Sequence, residues 1–220
     1  LRVDDLRGAL DGASGVTVAD PDRLAGPFAH VIVDEAQELT DAEWQMVLAR
    51  CPSGSLTIVG DRAQARHGFV GSWEERLTGA GLGRVRKATL SVNYRTPEEV
   101  MVAAEPVIRA ALPDANVPTS VRRTGVPVAY GGIDELDAIL VEWLGQHAEG
   151  TACVIGPGEF IAGLDHRPRV RALTPTLAKG LEFDLVVLAK PDALGSGVEG
   201  AVDTYVAMTR TTQRLVMLTE

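Results

Sequence analysis

The sequence is poor in cysteine, aromatic residues and long apolar runs, and each shortage excludes a class of protein. The two cysteines among 220 residues, Cys51 and Cys153, lie far apart and outside any Cys-x-x-Cys or Cys/His pattern. This spacing excludes a disulfide scaffold and a thiolate zinc site, and it is typical of buried thiols in the cytoplasm. Apolar runs such as 185–189 are far too short to cross a bilayer, so no membrane partner is expected.

Positive charge is also scarce, because 30 acidic residues outnumber 21 basic ones and give a formal net charge of −9. Such a balance argues against a module that binds nucleic acid by bulk charge, although it is compatible with a local basic groove. Lysine occurs only at Lys87, Lys179 and Lys190. Lys179 stands out among them because it lies in a glycine-containing motif.

What the sequence does contain is an alternation of short apolar runs and helical patterns. Runs rich in Val, Ile and Leu without strict alternation predict parallel strands buried on both faces. The candidate buried strands, several of which have this composition, lie at 30–33, 56–59, 86–90, 126–130, 152–155, 169–173, 184–188 and 214–218. Capping boxes at Thr40 and Thr96 and an apolar stripe from Ile133 predict helices to about residues 50, 111 and 147. The alternation predicts an α/β fold with a mainly parallel sheet.

A domain boundary is predicted near the glycines at 79, 81 and 83, which precede a predicted strand. We therefore divide the chain into two α/β units, 1–85 and 86–220. The polar, proline-containing stretches 113–125 and 191–200 are predicted to be loops.

Two predicted strands end in acidic residues. Asp34 and Glu35 follow the first, and Asp61 follows Gly60 after the second, with Gln64 three residues further on. Ligands bind at the carboxyl ends of strands in open parallel sheets. One carboxylate there can hold Mg²⁺ through its waters, and a second can polarise an attacking water. Each motif alone is equally typical of an acidic or glycine-containing turn.

Three further motifs contain basic residues beside predicted element ends. Arg95 directly precedes a helix start, Lys179 and Gly180 precede an apolar strand, and Arg210 follows a helical segment. An arginine at such a position can reach a phosphate from a second domain. Read alone, Arg95 and Arg210 are also explained as surface arginines.

Taken together and in this order, the five motifs resemble those of superfamily 1 helicases of the UvrD/Rep type, over about residues 29–218. Motifs II to VI correspond to Asp34–Gln37, Gly60–Asp61 with Gln64, Asn93–Arg95, Lys179–Asp184 and Val206–Arg210. The resemblance implies RecA-like parallel sheets flanked by helices, in a P-loop NTPase-type helicase core. It further implies the latter half of a first RecA-like domain in 1–85, a complete second one in 86–220, and ATP in the cleft between them.

The resemblance also implies a role in ATP hydrolysis for five matching residues. Asp34 would hold Mg²⁺, with Glu35 as a second carboxylate at the metal and as the general base for water. Gln64 would contact the γ-phosphate and couple it to nucleic acid. Arg95 and Arg210 would reach the same phosphate from the second domain, where they would neutralise its charge.

Other matching residues are implied to lie around the nucleotide and the nucleic acid. Glu182 would contact the nucleotide sugar, and Gly180 would lie beside the nucleotide. Thr176, Lys179 and Gly180 would lie near nucleic acid or the domain interface. The implied partner is single-stranded DNA.

The three tryptophans are candidate stacking surfaces for bases. Trp44 and Trp143 lie in helical stripes, which favours packing in a core. Trp73 follows motif III and is the best candidate for stacking, with packing an equally good explanation.

The sequence departs from the UvrD/Rep pattern most clearly in its lack of a Walker A loop. That loop, Gly-x-x-x-x-Gly-Lys-Ser/Thr, binds the nucleotide phosphates, and none of the 23 glycines here is followed by lysine. The chain also does not begin with methionine. We therefore expect a C-terminal piece of a longer polypeptide, whose upstream part is a necessary partner. The chain alone is predicted not to hydrolyse ATP.

Two further departures leave the choice of partner open. Only 84 positions separate Arg95 from Lys179 (179 − 95), too few for the accessory domain that UvrD/Rep enzymes insert there. The usual aromatic-Phe-Arg-Gly run after Gln64 is replaced by residues 65–71, and Thr176 replaces a histidine. These features resemble HelD-like ATPases, which bind and recycle RNA polymerase. The hypotheses are thus an ATP-dependent DNA helicase or translocase, a HelD-like ATPase, and an interaction module with vestigial motifs.

Overall fold

The computed structural model describes residues 26–67 and 71–220, so Gly68–Val70 of the unusual motif III run lie outside the described residues. The chain forms two compact units. The described part of the first comprises residues 26–33 and 40–58, and that of the second comprises 34–39, 59–67 and 71–220. The predicted domain boundary near residue 85 stays a prediction.

The first unit is a strand–helix–strand arrangement. Strands β1 (Val31–Val33) and β2 (Leu56–Ile58) pair in parallel, and helix α1 (Asp41–Arg50) lies between them in sequence. The predicted capping box is confirmed, because the Glu43 amide donates to Thr40 Oγ1 (3.3 Å) and the Thr40 amide donates to Glu43 Oε2 (2.7 Å). Such caps satisfy two amides that the first helical turn leaves without partners.

The second unit is built on a five-stranded sheet. Strands β5 (Ala129–Gly132), β6 (Ala152–Ile155), β7 (Val170–Leu173), β8 (Phe183–Ala189) and β9 (Thr211–Thr219) are ordered β5-β9-β8-β6-β7, and every pairing is parallel. Strands β3 (Val92–Asn93) and β4 (Thr119–Ser120) form a separate parallel pair. The predicted α/β class with a parallel sheet is confirmed.

The described part of the second unit also contains six helices. They are α2 (Trp73–Gly79), α3 (Glu98–Ala111), α4 (Leu136–Gln146), α5 (Gly158–Ala162), α6 (Pro175–Ala178) and α7 (Gly197–Met208). Short 3-10 turns occur at Ala36–Glu38, Arg62–Gln64, Ile133–Glu135 and Pro191–Ala193. Helices α3 and α7 supply residues to one core cluster and α4 to the other.

Strand β8 shows why the central apolar run does not alternate. Val186 and Leu188 pack in the α3/α7 cluster, whereas Leu185, Val187 and Ala189 pack in the α4 cluster. Successive side chains of a strand point to opposite faces, so a strand covered on both faces needs apolar residues at every position. Burying each large side chain contributes about 1.5–3 kcal/mol.

Buried tryptophans and cysteines behave as the sequence predicts. Trp44 and Trp143 are both buried, as are the free thiols Cys51 and Cys153. Burial raises the pKa of the Cys153 thiol to about 12, so this group stays protonated and unreactive at neutral pH. No helix among residues 26–67 and 71–220 is long and apolar enough to span a membrane.

Two local predictions are wrong. Residues 86–90 do not form a buried strand: Leu90 is 81% exposed, and the strand that follows begins at Val92. The predicted capping box at Thr96 does not form, because Pro97 is the N-cap of α3 and the Thr96 hydroxyl donates to the Thr209 carbonyl (3.2 Å). A tertiary hydrogen bond has replaced the local one.

Three boundaries also differ from the prediction. Stretch 113–125 is not entirely loop, because it contains β4. Stretch 191–200 contains a 3-10 turn and the start of α7. The strand predicted at 126–130 begins at Ala129.

Candidate functional site

The acidic turn after β1 presents two carboxylates to solvent. Asp34 and Glu35 are both exposed, and the Glu35 amide donates to Asp34 Oδ1 (2.8 Å). Glu35 has a left-handed backbone conformation with φ of 51°. A non-glycine residue pays about 1–2 kcal/mol for this conformation, and such strain is concentrated at functional sites.

Gln37 joins this turn to the next motif, a role that the sequence prediction missed. Its side chain is buried, with 4% exposure. Nε2 donates to Glu35 Oε2 (2.5 Å), and Oε1 accepts from the Asp61 amide (3.0 Å). The only sequence signal was its position two residues after Glu35, where an amide can orient a carboxylate without adding charge.

Asp61 and Gln64 form a second polar turn. Asp61 accepts hydrogen bonds from the Ala63 amide (2.9 Å) and from Gln64 Nε2 (2.9 Å). Burial raises the pKa of the Asp61 carboxyl, the hydrogen bonds oppose this effect, and the nearby charge of Glu35 adds to it. Gln64 therefore has its amide nitrogen engaged, and its Oε1 faces a different partner.

That partner is Arg210, which directly follows α7 and its C-cap. Arg210 Nη2 donates to Gln64 Oε1 over 3.5 Å, and Nε donates to the Val206 carbonyl (3.1 Å). Burial lowers the pKa of the Arg210 guanidinium, while the charges of Glu35 and Glu182 oppose this shift. An arginine side chain remains charged in either case, so Arg210 is a half-buried cation facing two carboxylates.

Arg95 and Glu182 form an ion pair beside Arg210. Arg95 Nη1 lies 2.6 Å from Glu182 Oε1, and the side chains are 56% and 36% exposed. Asn93 Oδ1 accepts from the amides of Arg95 (2.8 Å) and Thr96 (3.1 Å), which shapes the turn that carries Arg95. The structure thus brings motifs IV, V and VI together.

Lys179, which is predicted to lie near nucleic acid or the domain interface, is engaged by protein groups. Its ammonium pairs with Glu38 and donates to the Gln64 carbonyl (2.9 Å), and its side chain is only 16% exposed. Thr176 is exposed on α6. Gly180 is exposed and has φ of 73°, a conformation that favours glycine.

Trp73 begins α2 and lies beside the acidic motifs. A methyl group on Gly60 would come within 2.7 Å of the Trp73 ring and 2.9 Å of Gln37 Oε1. The ring is half-buried. It therefore packs closely over the Gly60 backbone, and the absence of a side chain there is what permits the contact.

The residues present fit one side of a magnesium–nucleotide complex. No cluster of three or more His, Cys, Asp or Glu side chains suited to a metal occurs among residues 26–67 and 71–220. Mg²⁺ bound to a nucleotide takes only one or two carboxylates, because waters and phosphates complete its shell. The exposed Asp34 and Glu35 meet that need, whereas a Walker A loop for the phosphates is absent from this sequence.

An open groove of about 580 Å³ lies elsewhere, between α4 and the edge strand β7. Its lining includes Leu140, Val154 and Val170, with Arg167 and Asp137 at its rim. None of the motif residues lines this groove. The polar cluster around Arg210 is therefore the better candidate site on chemical grounds.

Comparisons with solved structures agree with the α/β fold described above. The chain is similar to the structure of the PRRSV helicase, with a TM-score of 0.54 and 16% identity over 98% of this chain and 44% of that one. It is similar to Arterivirus nonstructural protein 10, a helicase, with a TM-score of 0.50 and 20% identity over 98% and 49% of the two chains. A scan of protein families and a search of curated proteins find no match. The chain thus shares the α/β, RecA-like fold of solved helicases and spans about half of their length.

Proposed function

We propose that the chain is the C-terminal motor portion of an ATP-dependent DNA helicase or translocase of superfamily 1. The observation that carries this proposal is the convergence on Arg210 of groups from separate motifs. Gln64 accepts its hydrogen bond, and the charges of Glu35, Glu182 and Arg95 all act on it. A binding module has no need for this combination of a general base, an amide and two arginines.

Each residue of the cluster has a chemical role that its position supports. Asp34 and Glu35 would hold Mg²⁺, which screens phosphate charge when it is bound. Glu35 would accept the proton of the attacking water, with its carboxylate held by the Gln37 amide. Gln64 would orient the γ-phosphate. Ordering its side chain for this role would cost little free energy, because its amide nitrogen is already fixed by Asp61.

Arg95 and Arg210 would supply positive charge to the phosphoryl group. Donors held in place before reaction are worth more than mobile ones, because no reorganisation is needed in the transition state. Arg210 is held by Val206, and Arg95 by the Asn93 turn and by Glu182. Glu182 would release Arg95 and contact the nucleotide sugar instead, beside Gly180.

Nucleic-acid binding is the less direct part of the proposal. Thr176 is exposed, and Trp73 has a half-buried ring. Lys179 would have to leave Glu38 to reach a DNA phosphate. Single-stranded DNA as partner, the cytoplasm as location, and the upstream part of the same polypeptide as source of the phosphate-binding loop belong to this proposal.

A HelD-like ATPase that binds RNA polymerase is the alternative. One observation favours it: the chain between Arg95 and Lys179 consists of α3, β4, β5, α4, β6, α5, β7 and α6, with no inserted domain. In addition, Arg66 occupies the region of the usual aromatic residue and is bound by acidic side chains. An arginine held by acidic side chains does not offer a surface on which bases stack.

The experiment that separates the two is ATP turnover by the polypeptide extended to its natural start. We expect stimulation by single-stranded DNA if the chain belongs to a helicase or translocase. Activity indifferent to DNA but raised by RNA polymerase would establish the alternative. An extended polypeptide that never hydrolyses ATP would contradict both functions. It would favour the third hypothesis, an interaction module with vestigial motifs.

A further inference from the structure

The hydrogen bond between Gln64 and Arg210 is too long to hold the two side chains at a fixed distance by itself. At 3.5 Å, the hydrogen bond lies at the outer limit of what such bonds allow. Gln64 lies on the Arg62–Gln64 turn, and Arg210 follows α7, so two separate elements must be held against each other. Other residues must therefore set the distance.

One face of α7 carries acidic residues that serve this purpose. Glu199, Asp203 and Val206 are spaced by four and three positions, which places them on one side of the helix, and Arg210 follows its C-cap. Arg66, two residues after Gln64, donates from Nε to Asp203 Oδ2 (3.2 Å) and pairs through Nη2 with Glu199 Oε1 (2.8 Å). The arginine therefore ties the Gln64 turn to the helix that leads to Arg210.

Asp203 depends on this arginine. Its side chain is 3% exposed, and Oδ1 is a buried atom with no hydrogen-bond partner. Burial raises the pKa of the Asp203 carboxyl, the charges of Arg66 and Lys179 oppose this, and the charge of Glu199 adds to it. A buried carboxylate that loses its cation is strongly destabilised.

A second ion pair holds the same turn from the other side. Lys179 pairs with Glu38 and donates to the Gln64 carbonyl (2.9 Å), and Glu38 Oε1 also accepts from the Arg66 amide (3.5 Å). The backbone from Gln64 to Arg66 is thus held at both ends.

We propose that Arg66 and Asp203 are a positioning pair that fixes the distance between Gln64 and Arg210. A phosphate bound at Gln64 would thereby affect α7. The sensing part rests on the proposed function, whereas the positioning part does not. Neither residue touches the nucleotide in this account. Both act through Gln64 and Arg210.

The positioning part is tested on the 220-residue chain by NMR, from the side-chain amide signals of Gln64. Asp203→Asn and Arg66→Gln are expected to shift these signals, and Arg66→Lys is expected to restore them in part. Arg62→Gln is the matched control, because Arg62 lies on the same turn but pairs with Asp114 (2.6 Å). Unchanged Gln64 signals in a folded Arg66→Gln chain would overturn the proposal, as would an equal shift in Arg62→Gln.

The sensing part is tested by ATP turnover of the extended polypeptide. Because displaced positioning groups cost rate more than binding, we expect kcat to fall about tenfold in Arg66→Gln and Asp203→Asn with KM changed less than about threefold. Arg62→Gln should keep the parent kcat. Equal kcat in all variants would overturn the sensing part. A wild-type polypeptide without turnover would instead refute the proposed function, and the Gln64 signals would still decide the positioning part.

Discussion

Arg210 Nη2 donates a hydrogen bond to Gln64 Oε1 over 3.5 Å, although the two residues are 146 positions apart in the sequence. Gln64 is in turn held by Asp61, and Gln37 connects Asp61 to Glu35. A continuous set of hydrogen bonds thus runs from the acidic turn to the end of α7.

Gly60 is predicted to be intolerant of even a methyl group. In Gly60→Ala the new Cβ would lie 2.7 Å from the Trp73 ring and 2.9 Å from Gln37 Oε1, so ring or amide must move. Overpacking of this kind costs about 1–3 kcal/mol, which urea unfolding can measure. Gly79→Ala is the control, because its Cβ would meet nothing within 4 Å and alanine favours the helix. Equal stability of the two variants would refute the close packing.

Gln37→Ala is predicted to lower the free energy of unfolding of the chain and the ATP turnover of the extended polypeptide. The substitution leaves the Asp61 amide without its acceptor and Glu35 without its donor. An unsatisfied buried group costs about 1–3 kcal/mol, measurable by thermal unfolding. Gln146→Ala removes an exposed amide that bonds only Glu142 in its own helix, and should change stability far less. If the two variants unfold alike, Gln37 has no bridging role.

Glu182→Gln is predicted to leave stability almost unchanged. The Arg95–Glu182 ion pair is largely exposed, and such pairs contribute about 0–1 kcal/mol. The melting temperature should therefore remain close to that of the parent chain. A large drop would show that the pair is structural and would remove the reason for assigning Glu182 to the nucleotide.

Asp184 is predicted to make stability depend on acid pH. Burial raises the pKa of this carboxyl, but donors from Thr151, Gln213 and Thr212 outweigh burial and hold the pKa below its usual range. A group with a lowered folded-state pKa stabilises the fold above its unfolded pKa, and the contribution is lost as pH falls through the folded-state value. Asp184→Asn should therefore lower stability at neutral pH and flatten its dependence below about pH 5.

The control for Asp184 is Glu220→Gln. The pKa of Glu220 is also lowered, by Lys190, but this terminal side chain is exposed. Because solvent screens this exposed ion pair, its substitution should change the acid dependence of unfolding much less than Asp184→Asn does. A parallel loss in both variants would show that the acid effect comes from net charge and not from the hydrogen bonds that Asp184 accepts.

Patterns set by burial and by local chemistry could be predicted from the sequence. The run 185–189 is apolar because β8 is covered on both faces, and Thr40 caps α1 with groups only three residues apart. The motif residues Glu35, Gln64 and Arg210 could be named, although not how they are connected.

What could not be predicted depends on partners distant in sequence. Residues 86–90 were expected to form a strand but find no neighbouring strand among the described residues. Thr96 has a cap partner in sequence, yet it bonds Thr209 instead. Arg66 and Asp203 lie 137 positions apart, so no local pattern reveals their ion pair.

The central claim is that this chain supplies the hydrolytic half of an ATP site. The most direct test is steady-state ATP turnover by the polypeptide extended to its natural start, compared with its Glu35→Gln variant. Loss of a general base lowers rate by about 10²–10⁴-fold, so the variant should be nearly inactive while its melting temperature stays unchanged. Turnover that persists in Glu35→Gln at the parent rate would contradict the account.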